Sequence, residues 1–290
     1  MTNEWQVEQL QANVHRLLFP EVTNGWEQYI LLTADRHHDS PKTNQKLEKM
    51  HLDMALERNA PIIDVGDLFD AMQGREDRRR SKRESRPEHA KDENYFDVLV
   101  DDAERFYAPY AHLFVVMGIG NHEAAVTKHA GTDLTYRLAR RLRNHSGKGW
   151  PYRGGYGGYV KIQCIFQKTV TQSLTLKYFH GSGGGGPVTK GVIQTNRRAV
   201  VFPDADIVVS GHIHEAWALA VTREKCGKYG TLSRSNQIHI SVPSYKDDYD
   251  TGAEGWAVES GMPPKPMGCV WLRLYFHGSK IHVHPDLDIY

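Results

Sequence analysis

The sequence contains few cysteines and no excess of either charge. Its three cysteines, Cys164, Cys226 and Cys269, stand far apart in a chain of 290 residues, and their odd number and wide spacing do not indicate a disulfide framework. A reducing compartment is therefore expected. The 36 basic and 35 acidic residues leave a formal net charge of +1. Any attraction to a nucleic acid must come from a local patch, because the chain as a whole has almost no net charge.

Long apolar runs are also missing. No stretch approaches the roughly 20 apolar residues that a membrane-spanning helix needs, and the opening residues MTNEWQVEQL hold no apolar signal region. We expect a cytoplasmic protein that does not bind a membrane. The chain is 40% apolar, and at this length it can bury a sizeable core without staples.

Apolar periodicity predicts alternating strands and helices in the first half of the chain and mainly strands in the second. Helical spacing covers residues 4–18, 43–59, 95–113 and 132–144, with Thr132 as the cap of the last helix. Strand-like runs cover residues 29–32, 61–65, 114–117, 159–166, 173–179, 207–210, 217–221, 237–242, 270–276 and 280–284. This order predicts one domain over residues 1–290, in which two packed sheets carry helices on their outer faces.

Two segments depart from the periodic pattern. Residues 73–93 form a charged insertion, and residues 244–267 form a long loop rich in glycine, proline, aspartate and aromatic residues. Loops of this length inside a compact domain are usually functional or disordered. Their positions decide how open the site is, and the sequence does not fix them.

Aspartate, asparagine and histidine side chains follow the carboxyl ends of five strand-like segments. In α/β sheets this edge is where ligands bind. Carboxylate and imidazole groups together suit borderline divalent metals, and so many candidate ligands suit two ions better than one. If the backbone is extended, Asp-x-His and His-x-His each place two side chains on one face. The motifs are Asp35-x-His37, Gly66-Asp67-x-x-Asp70, Gly120-Asn121-His122-Glu123, His180-Gly181 and Gly211-His212-x-His214.

Each motif taken alone has a plainer explanation. Asp35 and His37 fit a turn followed by a core histidine, His214 fits a surface residue, and Asn121 fits a helix cap. The joint occurrence of five such motifs at strand ends favours a shared metal site over five separate coincidences.

The order of the five motifs resembles that of the calcineurin-like metallophosphoesterase superfamily. The resemblance runs from Asp35 to His214, over most of the chain. It implies an α/β fold, a four-layer α-β-β-α sandwich of two mixed sheets flanked by helices. It also implies two divalent metal ions that activate water for attack on phosphorus. Manganese is the first expectation, with iron, zinc or nickel as alternatives.

The resemblance also implies a role for each motif residue. His122 is expected to act as a general acid that Asp70 orients, and Glu123 is expected to be a structural partner rather than a ligand. Asp67 is expected to bridge the two ions. The remaining ligands divide into Asp35, His37 and His214 for one ion and Asn121, His180 and His212 for the other.

Three passages also resemble a group of uncharacterised bacteriophage phosphoesterases, for which no substrate is implied. They are GDLFDAMQG, HGSGGGGP and PSYKDDY. A phage protein of this kind would act in the host cytoplasm.

The sequence departs from the Ser/Thr protein phosphatases of the superfamily. Those enzymes carry an arginine directly after GD-x-x-D and another before GNHE, and Ala71 and Ile119 occupy these positions here. Two guanidinium groups that would grip a phosphoryl group are therefore missing, and a protein-phosphatase activity is not expected. Arg36, inside the first motif, is expected to point away from the metals and form an ion pair.

The charged insertion is the main feature of the sequence that indicates a substrate class. Between Arg75 and Arg86 seven basic residues stand against three acidic ones. Such a segment could contact nucleic-acid or nucleotide phosphates, and an exposed or subunit-contacting loop is an equal alternative. The candidate substrate-binding residues are Arg78, Arg79, Arg80 and Arg83.

Three functions follow from these patterns. The leading one is a two-metal phosphodiesterase or nuclease that acts on DNA, RNA or a nucleotide. The alternative is a phosphomonoesterase or nucleotide pyrophosphatase with a small substrate. A non-catalytic scaffold is the third, and the complete ligand set argues against it. The sequence leaves the oligomeric state open.

Overall fold

The computed structural model describes residues 4–71, 86–89, 94–166, 170–186, 188–249, 252, 256–278 and 280–290. The four candidate substrate-binding residues, Arg78, Arg79, Arg80 and Arg83, lie outside the described residues. Within the described part, the chain forms thirteen strands and six helices. The helices are α1 (Gln45–Glu57), α2 (Tyr95–Tyr107), α3 (Asn121–Ala130), α4 (Leu134–Ser146), α5 (Gln194–Val201) and α6 (Trp256–Glu259), and a 3₁₀ turn, Ala108–Tyr110, follows α2.

The strands divide between two sheets. In chain order they are β1 (Gln6–Gln11), β2 (Val14–Val22), β3 (Glu27–Thr33), β4 (Ile62–Asp64), β5 (Phe114–Met117), β6 (Tyr152–Arg153), β7 (Gly157–Phe166), β8 (Val170–Phe179), β9 (Ile207–Ser210), β10 (Trp217–Cys226), β11 (Leu232–Ser241), β12 (Gly268–His277) and β13 (Lys280–Ile289). One sheet has the order β1-β2-β7-β8-β9-β11-β10, and the other has the order β13-β12-β3-β4-β5-β6.

Both sheets are mixed, as the resemblance implies. In the six-stranded sheet β3, β4, β5 and β6 pair in parallel, whereas β12 and β13 are antiparallel. In the seven-stranded sheet β9 pairs in parallel with both β8 and β11. The short strands β4, β5 and β9 are buried at every residue, which is expected of parallel strands covered on both faces. The predicted α/β fold of two mixed sheets flanked by helices is confirmed.

The predicted helix over residues 4–18 is wrong, because this segment forms the hairpin of β1 and β2. Its apolar residues fit helical spacing, but the buried residues of β2 include His15, Leu17 and Phe19, which alternate with period two. Leu10, counted toward the helical face, is 45% exposed. Parallel pairing of β2 with β7 supplies the tertiary contacts that override the local pattern.

Smaller differences concern caps and loops. Asp133, not Thr132, caps α4, because its carboxylate accepts a hydrogen bond from the backbone N–H of Tyr136 at 2.8 Å. Helices α3 and α5 were not predicted. The segment 244–267 holds the short α6. An isolated bridge joins its two ends, Ser244 and Met267, and another pairs Lys246 with Thr43. None of the helices in the described part of the chain is long and apolar enough to cross a membrane.

Candidate metal centre

The five sequence motifs meet at the carboxyl ends of parallel strands. Asp35 follows β3, Asp67 follows β4, and Asn121 opens α3 after β5, all in the six-stranded sheet. His180 follows β8 and His212 follows β9 in the other sheet. Strand ends from both sheets therefore converge on one site, at the edge where α/β folds bind ligands.

The predicted ligands lie in two adjacent groups, and Asp67 connects them. Asp35, His37 and His214 form one group, and Asp67, His180 and His212 form the other; in each, one ligand atom per residue lies within 4.8 Å of the others. A further group of the same kind contains His37, Asp67 and His122, so Asp67 links the two sides. The structure thus brings the six carboxylate and imidazole residues that were predicted as ligands together.

The seventh predicted ligand, Asn121, lies in the second group. Its Oδ1 is 2.7 Å from Nδ1 of His212 and 3.2 Å from Nε2 of His180. The same Nε2 is 3.1 Å from Oδ2 of Asp67. Oxygen and nitrogen atoms from four residues therefore face one small volume.

Buried polar atoms that make no hydrogen bond indicate whether the first group fits a cation. Oδ1 of Asp35 and Nε2 of His37 are buried without a hydrogen-bond partner and lie 4.0 Å apart. Nε2 of His214 lies 3.4 Å from the same Asp35 oxygen. Buried polar atoms almost always have a partner. One carboxylate oxygen and two imidazole nitrogens that face one another fit a divalent ion.

The backbone at the site is unusual for residues other than glycine. The φ angle is positive, at 49°, 44°, 55°, 72° and 54°, at Asp35, His37, Asp67, His212 and His214 respectively. A left-handed residue with a side chain costs about 1–2 kcal/mol, and such strain clusters at functional sites. The sequence expectation of extended Asp-x-His and His-x-His segments is therefore wrong. The side chains converge because the backbone turns, not because alternate residues share a face.

Two glycines allow the carboxylates to lie against the backbone. A Cβ atom at Gly120 would overlap the carboxylate of Asp67, and one at Gly211 would overlap the carboxylate of Asp35. The backbone N–H of His212 donates to Oδ2 of Asp35 at 2.7 Å. These contacts fix the two aspartates before any ion binds.

Electrostatics keep Asp67 ionised. Burial alone would raise its pKa, but the imidazoles of His180 and His122 hold the pKa of Asp67 well below its usual value. Its Oδ1 also accepts a hydrogen bond from the backbone N–H of His122 at 2.9 Å. The residue is thus a charged carboxylate between the two groups.

Glu123 supports the loop and is not part of either group. Its carboxylate accepts hydrogen bonds from the backbone N–H groups of Asp67, Phe69 and Gly120, at 3.1, 2.9 and 2.8 Å. Burial and the neighbouring Asp67 carboxylate raise the pKa of Glu123 to about 8. This structural role agrees with the expectation from the sequence.

Arg36 points away from the metal ligands, as expected. Its guanidinium is fully buried and pairs with Glu48 at 2.7 Å and with Asp64 at 2.8 Å. The pairing ties α1 to β4 beneath the turn that carries Asp35 and His37. Removing one partner of a buried ion pair strongly destabilises the protein, because the other charge is left buried and unpaired.

His122 and Asp70 lie beside the two groups. Nδ1 of His122 is 2.7 Å from the main-chain carbonyl oxygen of Asp70 and 3.4 Å from its carboxylate. The Asp70 carboxylate is closer to Nδ1 of His37, at 3.0 Å. The structure therefore places Asp70 next to a predicted metal ligand as well as next to the predicted acid.

Two charged residues at the site were not singled out from the sequence. Nζ of Lys246 lies 3.2 Å from each carboxylate oxygen of Asp70 and 3.3 Å from Oδ1 of Asp248. Asp248 in turn lies 3.8 Å from Nδ1 of His214. Both belong to the PSYKDDY passage, whose run of charges was the available signal.

A pocket opens beside the predicted metal ligands. Its volume is about 260 Å³, and its lining includes His212, His214, Lys246, Tyr249 and Met262. Backbone of the glycine-rich segment 183–185 forms another wall. The pocket therefore adjoins both groups of ligands and is bordered by a cation and an aromatic ring.

Comparison with known proteins gives distant likenesses. No family model matches the sequence, and no curated protein matches it. The chain is similar to a conserved uncharacterised protein, a predicted phosphoesterase, from Streptococcus pneumoniae TIGR4, with 12% identity, a TM-score of 0.36, and coverage of 91% of this chain and 94% of that one. No residue role is taken from a similarity of this size.

Two further solved structures are similar to the same degree. Vacuolar Protein Sorting 29 from Cryptosporidium parvum has 12% identity and a TM-score of 0.37, over 90% of this chain and 97% of that one. Wild-type Vps29 complexed with Zn²⁺, from Entamoeba histolytica, has 12% identity and a TM-score of 0.36, over 89% and 98%.

The fold class follows from the chain's own architecture. Two mixed sheets flanked by helices, with the five motifs at their strand ends, match the calcineurin-like phosphoesterase fold that the sequence resemblance implies. The finer resemblance to bacteriophage phosphoesterases is not tested by these observations and stays a prediction.

Proposed function

We propose that the chain is a two-metal phosphoester hydrolase. The observation that carries this proposal is the convergence of oxygen and nitrogen ligands into two adjacent groups linked by one carboxylate, Asp67. Asp35, His37 and His214 would hold one divalent ion, Asn121, His180 and His212 would hold the other, and Asp67 would contribute to both sites. A bound pair of such ions activates a water molecule and stabilises charge on the transferring phosphoryl group.

His122 supplies a proton to the leaving oxygen in this proposal. Its Nδ1 faces the main-chain carbonyl of Asp70, an acceptor, so that nitrogen carries a proton; the proton given to the leaving oxygen is the second one, on Nε2 of the imidazolium form. Its Nε2 lies 4.0 Å from Oδ2 of Asp67 and so faces the centre. The side chain is 14% exposed, which leaves it accessible to a substrate. A general acid in this position contributes roughly 10²–10⁴ in rate.

Lys246 supplies a fixed positive charge for the phosphoryl oxygens. The positions where protein phosphatases carry arginines hold Ala71 and Ile119. Lys246 reaches the site from a different loop, with its ammonium group held by Asp70 and Asp248. A single ammonium binds phosphate as a point charge and without the two-pronged geometry of arginine.

The substrate class we favour is a phosphodiester in nucleic acid or a nucleotide. The basic segment from Arg75 to Arg86 begins five residues after Asp70 and is the densest positive stretch in the sequence. The second candidate is a small phosphoester, and the pocket of about 260 Å³ beside His212 and His214 favours it. Its volume is at or just below the low end of ordinary small-molecule sites.

A metal-reconstitution assay tests the hydrolase. Metal-free protein is reloaded separately with Mn²⁺, Fe²⁺, Zn²⁺ and Ni²⁺ and assayed on bis-p-nitrophenyl phosphate, p-nitrophenyl phosphate and single-stranded DNA. We expect turnover that depends on metal, highest with Mn²⁺, and faster for diesters. Loss of all turnover in Asp67→Asn controls for contaminating phosphatases. Absence of turnover with every metal would favour the non-catalytic scaffold.

The arginines of the charged insertion separate the two substrate classes. Replacing Arg78, Arg79, Arg80 and Arg83 with serine should lower the salt slope of DNA affinity by roughly one to three, because each phosphate contact contributes about 0.7–0.9. Hydrolysis of the small diester should not change. A matched control with the same loss of charge replaces the exposed arginines Arg105, Arg140, Arg197 and Arg234. Equal salt slopes in both variants would favour the small-substrate alternative.

A further inference from the structure

A second cluster of metal-ligand side chains lies outside the proposed catalytic centre. It contains His51, Cys269 and Asp288, and one ligand atom from each lies within 4.8 Å of the other two. We propose that these three residues bind a divalent ion with the preferences of zinc. The proposal does not depend on the proposed hydrolase function, because no residue is shared between the two sites.

Three elements bring the side chains together. Cys269 on β12 and Asp288 on β13 are direct cross-strand partners in an antiparallel pair, so their side chains share a face of the sheet. Helix α1 packs on β12 and presents its buried residue His51. Residues that are more than 200 positions apart in the chain therefore form one cluster.

One buried nitrogen of the His51 imidazole makes no hydrogen bond and faces the Asp288 carboxylate. Nε2 of His51 is buried and makes no hydrogen bond, and the nearest carboxylate oxygen, Oδ2 of Asp288, lies 3.5 Å away. The residue itself has no exposed surface. A buried nitrogen of this kind costs free energy unless it finds a partner. An ion between the imidazole, the thiol and the carboxylate would satisfy it.

The neighbours of the cluster are arranged to orient its ligands. The hydroxyl of Tyr245 lies 3.0 Å from Nδ1 of His51. Burial raises the pKa of the Cys269 thiol, and the same Tyr245 side chain lowers that pKa by a smaller amount. The indole N–H of Trp271 donates to Oδ2 of Asp288 at 3.2 Å. In the metal-bound form Nδ1–H of His51 donates to the Tyr245 oxygen and the Tyr245 hydroxyl donates to the sulfur. This tautomer leaves Nε2 free for the ion, as in other histidine metal sites.

The ligand types select the ion. Sulfur, imidazole and carboxylate together suit Zn²⁺, which accepts all three, and sulfur distinguishes this cluster from the oxygen and nitrogen ligands of the catalytic centre. Burial lowers the pKa of His51, so its imidazole is neutral, which is the form that binds metals. Burial raises the pKa of Cys269, so the sulfur stays a thiol until an ion displaces its proton.

Access to the cluster comes from the edge of the sheet. Strand β13 is the edge strand of the six-stranded sheet, and the Asp288 side chain is 39% exposed. Three protein ligands leave the fourth position of a tetrahedral ion for water. An ion held here joins α1 to β12 and β13, so we expect it to stabilise the fold.

Cobalt spectroscopy tests this site separately from the catalytic one. Metal-free full-length protein is titrated with Co²⁺, and the sulfur-to-cobalt charge-transfer band in the near ultraviolet is measured. We expect this band, because Cys269 is a ligand, and we expect Zn²⁺ to remove it by displacement. The band should persist in Asp67→Asn, which alters the catalytic centre, and in Cys226→Ser, which removes the exposed cysteine. It should disappear in Cys269→Ser.

A second variant tests the same site in case Cys269→Ser does not fold. Asp288→Asn removes one ligand charge at a partly exposed position and keeps an acceptor for Trp271. We expect its Co²⁺ affinity at the sulfur band to fall about tenfold or more, with unchanged far-ultraviolet circular dichroism. Absence of the band in the wild-type chain, or unchanged affinity in a folded Asp288→Asn variant, would overturn the proposal.

Discussion

The main-chain carbonyl oxygen of Asp70 lies 2.7 Å from Nδ1 of His122, whereas the carboxylate of the same residue lies 3.4 Å away. The backbone therefore orients the imidazole, and the carboxylate is left to contact His37 and Lys246. The resemblance assigned Asp70 one role, the orientation of His122, and did not assign it a contact with His37. The main-chain carbonyl of Asp70 keeps a proton on Nδ1 of His122. The Asp70 carboxylate holds His37 in position.

The first prediction concerns His122. His122→Ala should keep its metals and lose about 10²–10⁴ in rate, which is the usual contribution of a general acid. The loss should shrink for phosphoesters with good leaving groups, since these need little protonation. The measurement is kcat against leaving-group pKa, together with metal content. An equal loss for every leaving group would indicate that His122 stabilises phosphoryl charge instead.

Asp70→Asn is the matched control for His122. The substitution keeps the carbonyl that faces Nδ1 of His122 and changes the carboxylate that faces His37. The leaving-group dependence should therefore stay as in the wild type, and the metal affinity should fall by about 10–100-fold, as for other residues that hold a ligand. A changed leaving-group dependence would indicate that the Asp70 carboxylate orients His122.

The second prediction concerns the bridge. Asp67→Asn should lose both turnover and tight occupancy by two ions, because Asp67 lies in one group with His37 and in another with His180 and His212, and it is the proposed bridge. Calorimetric titration with Mn²⁺ and metal analysis after gel filtration measure the loss. The expected result is fewer than two tightly bound ions per chain. Two ions with wild-type turnover would contradict the bridging assignment.

The third prediction concerns Lys246. Hydrogen bonds to charged groups contribute about 1.5–3 kcal/mol, so Lys246→Met should lower kcat/KM by roughly 10–100-fold. Lys246→Arg should recover part of the loss, because it restores the charge. Lys265 lines the same pocket but pairs with Glu215, so Lys265→Met serves as the matched control. Equal losses in both methionine variants would show that the charge of the whole pocket matters rather than Lys246.

The sequence predicted which residues come together better than it predicted the backbone geometry that brings them there. Asp35, Asp67 and His212 were recognised because a strand ending in a polar residue leaves a local signal, and the strands before them were predicted within about three residues of their bounds. Their left-handed backbone was not predicted, because the strain is maintained by tertiary contacts such as Gly211 against Asp35. A local sequence pattern does not encode those tertiary contacts.

Long-range pairings explain what the sequence missed. Residues 4–18 fit a helix locally, yet β2 pairs with β7, a strand some 140 positions later, and this pairing decides the structure. Lys246 is brought to Asp70 from a distant loop. Cys269 and Asp288 become neighbours through the register of β12 and β13 alone. Nothing in the spacing of these residues indicates that they meet.

The last prediction concerns His15 on β2, which is buried with neither ring nitrogen hydrogen-bonded. Burial lowers the pKa of His15 to about 4. The unfolded chain, with an ordinary histidine pKa near 6.5, therefore binds more protons than the folded chain between about pH 4 and 6.5. Stability falls as the pH is lowered through this window, and above it this histidine adds no further dependence on pH.

His15→Phe should remove this dependence and stabilise the fold. The phenyl ring should keep the aromatic contact with Tyr152, whose ring centroid lies 5.4 Å from that of His15. It carries no unpaired buried nitrogens, whose cost is about 1–3 kcal/mol. Urea unfolding at pH 7.5 and pH 5 should show a gain of about that size at pH 7.5 and a larger gain at pH 5, since the wild type loses up to about 1.4 kcal/mol per pH unit between these values. His129→Phe, at an exposed position, is the control and should show neither effect. An equal gain at both pH values would contradict the assignment of the pH-dependent loss to His15.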